Sequence, residues 1–154
     1  MPVYLFDSSQ LHPDDLTGIL VSENKMCGVV NNYPIGRYAV PYEEIQLYAN
    51  NNRTFRVFVK TPDLNVVDLT NAVGVLSVKP DKTVVSPVIV KHTNVPSEGQ
   101  IGAANQGEMF FYIVPSDTVA LDIRQYVFDV KVTLSNGKTY TVIEGVIDLL
   151  QPVG

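Results

Sequence analysis

The sequence predicts an all-β fold, an immunoglobulin-like antiparallel β-sandwich carrying an irregular N-terminal extension. Three observations predict it. Tyr126, Phe128, Val130, Val132 and Leu134 alternate with Val127, Asp129, Lys131 and Thr133, the period-2 pattern of a strand with one apolar face. Ser135-Asn136-Gly137-Lys138 then suits a tight reversal, and a second β-rich run returns from Thr139 to Leu150. Finally, 10 Pro, 10 Gly and 8 Tyr among 154 residues, with abundant β-branched side chains, favour strands and turns over helices.

Two registers are open to the hairpin. A two-residue turn sets Leu134 opposite Thr139 and Val130 opposite Ile143, places Asp129 against Glu144, and turns Tyr140 and Val142 outward. A three-residue turn with Gly137 as the bulge sets Leu134 opposite Lys138 and Glu144 opposite Phe128, bringing Tyr140 and Val142 to the core face. A slip of one residue exchanges every side chain between faces. The second register is favoured, with a switch near Gly145, a residue able to mark a bulge.

The remaining elements follow from the N-terminus. Residues 1–50 are irregular and read as a docking segment. Val3 to Phe6, Ile19 to Val21 and Cys27 to Val30 suit short strands, and Pro13-Asp14-Asp15 suits one helical turn ended by Gly18. Five of the 8 tyrosines fall in this third: Tyr4, Tyr33, Tyr38, Tyr42 and Tyr48. Either they close over an edge of the sandwich or they form an arm for a partner, since Tyr is enriched at interfaces.

Asn50-Asn51-Asn52 is a polar break and the expected boundary of the sandwich, residues 51–154. Arg53 to Lys60 alternates, with Phe55, Val57 and Val59 on one face and Phe58 as the exception. Asp68-Leu69-Thr70 carries side chains placed to bond nearby amides. Val73 to Lys79 is the next strand, and Val84 to Lys91 an edge strand, because Pro87 cannot donate to a ladder. Asn94 to Gln106 reads as a long loop. Met109 to Val114 is apolar on both faces, so Phe110 and Tyr112 require cover from the N-terminal segment or a partner chain. Pro115 to Leu121 suits a short helical turn with Ser116 as its cap. The spacing gives about six to eight strands, as in an immunoglobulin-like sandwich.

Charge and motif content narrow the function classes. A net charge of −5 with no basic cluster argues against nucleic acid as a partner. No apolar run approaches the roughly 20 residues of a membrane helix, and the N-terminus lacks the pattern of a signal peptide. The single cysteine, Cys27, reads as an inert apolar residue in a reducing compartment. His12 and His92 lie far apart, with no nucleophile motif beside either. No metal-ligand spacing, phosphate loop or cofactor motif is present. Asp129 and Glu144 read as solvated surface charge. The expectation is a chain that is not an enzyme and holds no metal or cofactor.

Val67-Asp68-Leu69-Thr70-Asn71-Ala72, Val114-Pro115-Ser116-Asp117-Thr118, Tyr126-Val127-Phe128-Asp129-Val130-Lys131-Val132 and Asn136-Gly137-Lys138-Thr139-Tyr140-Thr141-Val142-Ile143-Glu144-Gly145 together resemble the immunoglobulin-like N-terminal domain of bacteriophage baseplate upper proteins and related virion proteins. The likeness covers about two thirds of the chain; residues 1–50 depart from it. It implies a virion structural protein, a tail, baseplate or neck adaptor, whose partners are other virion proteins and further copies of itself. A capsid decoration protein is the alternative. A carbohydrate-binding module is a further one, weakened by the absence of Trp. The expected partner-binding residues are Tyr33, Tyr38, Tyr42, Tyr48, Phe110 and Tyr112.

Overall fold

Alternating apolar and polar residues become strands because each face of a pleated chain sees only every second side chain. In the computed structural model, which describes residues 17–22, 25–26, 42–61 and 65–152, that alternation builds two facing sheets. The strands are β1 (Thr17–Ser22), β2 (Lys25–Met26), β3 (Tyr42–Tyr48), β4 (Arg53–Lys60), β5 (Val73–Lys79), β6 (Ile89–His92), β7 (Gly99–Ile101), β8 (Glu108–Ile113), β9 (Gln125–Thr133) and β10 (Thr139–Leu150). One helical turn, α1 (Pro115–Thr118), crosses between β8 and β9.

The first sheet runs β2-β1-β4-β8-β7 and the second β3-β10-β9-β5-β6. With β4, β5, β8, β9 and β10 as strands B, C, E, F and G, these are the two sheets of an immunoglobulin-like sandwich. Phe55, Val57 and Val59 on β4, with Met109, Phe111 and Ile113 on β8, face Leu76, Val78, Phe128, Val130, Val132, Ile147 and Leu149 across the core. All are buried. Each such side chain contributes about 1.5–3 kcal/mol by leaving water.

Three expectations change. The Asn50-Asn51-Asn52 break does not separate a docking segment from the sandwich: it is the turn that carries the chain from β3 in one sheet to β4 in the other. Asn50 takes the left-handed conformation at φ 65°, and its amide donates to the buried Thr118 hydroxyl at 2.8 Å. The sandwich is not wholly antiparallel either, because β3 pairs parallel to β10, with Ile45 and Leu47 adding to the core. Residues 94–106 hold the edge strand β7 and a 3-10 turn, Ala104–Gln106, rather than plain loop.

The hairpin uses both registers in succession. At its tip Gly137, at φ 84°, closes a turn in which the Leu134 amide donates to the Lys138 carbonyl. From Ile143 onward the pairing is Val130 with Ile143 and Asp129 with Glu144. The switch lies between Thr141 and Ile143, not at Gly145, and it buries both Val142 and Ile143. A regular strand would turn one of these two residues outward, and the bulge lets both join the core.

The cap of α1 is Val114 rather than Ser116. Pro115 takes the first helical position, and Asp117 reaches back to accept the Val114 amide at 2.8 Å.

Tyr126, at the start of β9, donates its hydroxyl to the Asp122 carbonyl at 2.8 Å, the tyrosine corner of such sandwiches. Burial, and then the nearby Asp122 carboxylate, raises its pKa above the ordinary 10.0. Above that pH the unfolded chain releases the phenolic proton while the folded chain keeps it, so this contribution is complete below pH 10.0 and is lost as pH rises. Tyr126→Phe should cost about 1 kcal/mol at neutral pH and should flatten the alkaline decline. Urea unfolding at neutral and alkaline pH measures both, and an unchanged alkaline slope would refute the assignment.

Candidate functional site

The expected partner-binding residues do not form one surface. Tyr33 and Tyr38 lie outside the described residues. Tyr42 and Tyr48 begin and end β3 on the outer face of the second sheet, 53% and 41% exposed. Phe110 and Tyr112 lie on the outer face of the first sheet, half-buried on β8. The thickness of the sandwich separates the two pairs.

The first face is built by the pairing of β4 with β8, which sets Arg56 beside Phe110, Phe58 beside Glu108 and Thr54 beside Tyr112. The Arg56 guanidinium lies 4.7 Å from the centre of the Phe58 ring and 5.8 Å from that of Phe110. Its Nε donates to the Glu108 carboxylate at 2.7 Å, and its terminal nitrogen forms an ion pair with the same oxygen. Glu108 is itself buried, and its second oxygen accepts the Ala103 amide at 3.1 Å. Burial pushes the Glu108 carboxyl up, but the Ala103 N–H and the Arg56 guanidinium outweigh it and hold it below the ordinary carboxylate value. Glu108 therefore stays ionised and holds Arg56 against the Phe58 and Phe110 rings. Arg56, Phe58 and Glu108 were missed as site residues. The available signal was Phe58, the one apolar residue on the polar side of its strand.

β1 joins this sheet beside β4 instead of lying across β8. Among the described residues, then, the N-terminal part of the chain extends the sheet and does not cover Phe110 and Tyr112.

The second face holds a groove of about 470 Å³. The ladders place Tyr42 beside Glu144, Glu144 beside Asp129 and Asp129 beside Ser77, a polar row crossing four strands. Lys79 and Lys82 line the groove at its other side, and Val127 and Val146 lie in its floor. Tyr48 belongs to the same strand face but does not line it.

The expected surface role of Asp129 and Glu144 fits their outward position, but they are neighbours rather than scattered charges. His92 is tied into a turn: its Nδ1 lies 2.9 Å from the Glu98 carboxylate, which also accepts the His92 amide at 2.8 Å. The His92 side-chain bond, and then the other local partners, hold Glu98 below its ordinary pKa against the opposing pull of burial. His12 and Cys27 lie outside the described residues. Among the described residues no three His, Cys, Asp or Glu side chains converge as metal ligands, and no helix is long and apolar enough to cross a membrane.

No protein-family model matches the sequence, and no curated protein sequence matches it. The fold is similar to CopC from Methylosinus trichosporium OB3b, at TM-score 0.39 and 15% identity over 72% of this chain and 89% of that one. It is also similar to part of a family 123 glycoside hydrolase from Clostridium perfringens, at TM-score 0.36 and 10% identity over 77% of this chain and 24% of that one. Neither likeness extends beyond the general shape of a β-sandwich.

Proposed function

We propose that this chain is a non-catalytic structural domain of a bacteriophage particle, an adaptor of the tail, baseplate or neck that works through protein–protein contact. The observation that carries the reading is the face formed by Arg56, Phe58, Phe110 and Tyr112. Arginine and aromatic residues concentrate at the centres of interfaces, where a few side chains supply most of the binding energy. Glu108 holds Arg56 in place before any partner arrives, so docking loses little side-chain freedom. The sequence resemblance supplies the setting: other virion proteins and further copies of this chain as partners, and the particle as the location.

Immunogold electron microscopy of intact particles, with antibody to this chain, tests the setting. Label at the tail tip or neck is expected. Label spread over the head would make the chain a capsid decoration protein, and particles without label would reject the virion reading. The face is tested by the double variant Phe110→Ala/Tyr112→Ala. Each truncation at an interface centre costs about 1–2 kcal/mol of binding, so incorporation should fall at least about tenfold while urea unfolding stays cooperative. Wild-type incorporation would show that another surface docks.

A further inference from the structure

We propose that the groove on the outer face of the second sheet binds a neutral saccharide. Its volume of about 470 Å³ lies within the range of small-molecule sites. The chemistry of its walls selects the ligand. The half-exposed ring of Tyr42 stands at one end, a platform for the C–H face of a pyranose. Glu144 and Asp129 are direct cross-strand neighbours beside it, and such pairs keep their Cβ atoms about 4.5–5.5 Å apart. That spacing lets two carboxylates accept hydrogen bonds from adjacent hydroxyls. Lys79, Lys82 and the Ser77 hydroxyl supply donors from the other side. Among the described residues none of these side chains forms an ion pair or a side-chain hydrogen bond, so none of their bonding capacity is taken up within the protein.

Other ligand classes fit less well. An anion would meet Asp81 as well as Asp129 and Glu144, while a metal ion would meet two ammonium groups, and among the described residues no three carboxylates converge on one point to hold it. An apolar molecule would strip water from five charged groups with nothing in return. A neutral polyol offers donors to the carboxylates and acceptors to the lysines, and brings no charge to desolvate. This site is on the opposite sheet from the adaptor face, so the two readings stand or fall separately.

The test is an NMR titration of the full chain with cellobiose, maltose, lactose and N,N′-diacetylchitobiose at millimolar concentration. At least one should shift amides at Tyr42, Ser77, Lys79, Asp129 and Glu144. Charge-assisted bonds being the stronger ones, Asp129→Asn should weaken that response at least about tenfold, with Tyr42→Ala weakening it comparably and Phe110→Ala leaving it unchanged. Well-dispersed spectra of the variants show that each remains folded. The proposal is overturned if none of these sugars moves the groove amides, if the shifts centre on β4 and β8, or if N-acetylneuraminic acid or calcium binds there more tightly than every neutral sugar.

Discussion

Lys91→Ala should destabilise the fold by about 3–5 kcal/mol, lowering the melting temperature by roughly 10 °C or more. Lys91 lies on the edge strand β6 yet points inward, and its ammonium meets the Asp117 carboxylate at 2.7 Å, with only 8% and 17% of the two side chains exposed. Asp117 holds α1 through the Val114 amide, so the pair fastens the helical crossing to the sandwich. Removing the lysine leaves a carboxylate out of water with one remaining donor. Asp117→Asn should be damaging for the complementary reason, a buried ammonium without its counter-charge. The double change Lys91→Met/Asp117→Asn should recover much of the loss, because neither charge is then stranded. Thermal and urea unfolding of the three variants supply the comparison. A Lys91→Ala protein within about 1 kcal/mol of wild type would show that water already screens the pair.

Gly145→Ala should be of similar severity, about 3 kcal/mol or more. Gly145 pairs with Glu43 where β3 runs beside β10, and a methyl group there would collide with the Glu43 main-chain carbonyl. The collision is with backbone, which cannot rotate aside, so β3 must separate from β10 and draw Ile45 and Leu47 out of the core. Hydrogen exchange reads the event directly. Amides of residues 42–48 should lose protection while those of β5 and β9 keep theirs. Retained protection along β3 would mean that the sheet absorbs the methyl group elsewhere.

The parts of the fold legible in the sequence were those whose signal is local. β4 and β9 each alternate over seven or more residues, and the structure places their apolar sides in the core. β3 was missed because its partner, β10, lies about a hundred residues away and pairs with it in parallel, an arrangement that no turn announces. Gly145 was noticed for the wrong reason: its missing side chain admits another strand, whereas the bulge comes from Val142 and Ile143.

The site followed the same rule. Phe110 and Tyr112 were legible as apolar residues on an outer face. The stacking of Arg56 on Phe58 and Phe110 depends on the β4–β8 register, and the row from Tyr42 to Ser77 on ladders among four strands. Both surfaces are products of pairing, and neither is written in any one segment.

The bulge on β10 divides the hairpin into two reading frames. Continued from the tip with Val142 paired and no bulge, the ladder would set Ile143 opposite Asp129 and Glu144 opposite Phe128, with the isoleucine in water and the glutamate in the core. One inserted backbone unit reverses that parity for everything beyond it and assigns Glu144 to the solvent side. The tip can therefore lengthen or shorten by pairs of residues without re-facing the groove, and even deletion of Val142 would leave a regular ladder with Ile143 still opposite Val130 and Glu144 opposite Asp129. An evolving lineage is thus free to vary the hairpin tip in even steps, with the chemistry of the groove inherited intact.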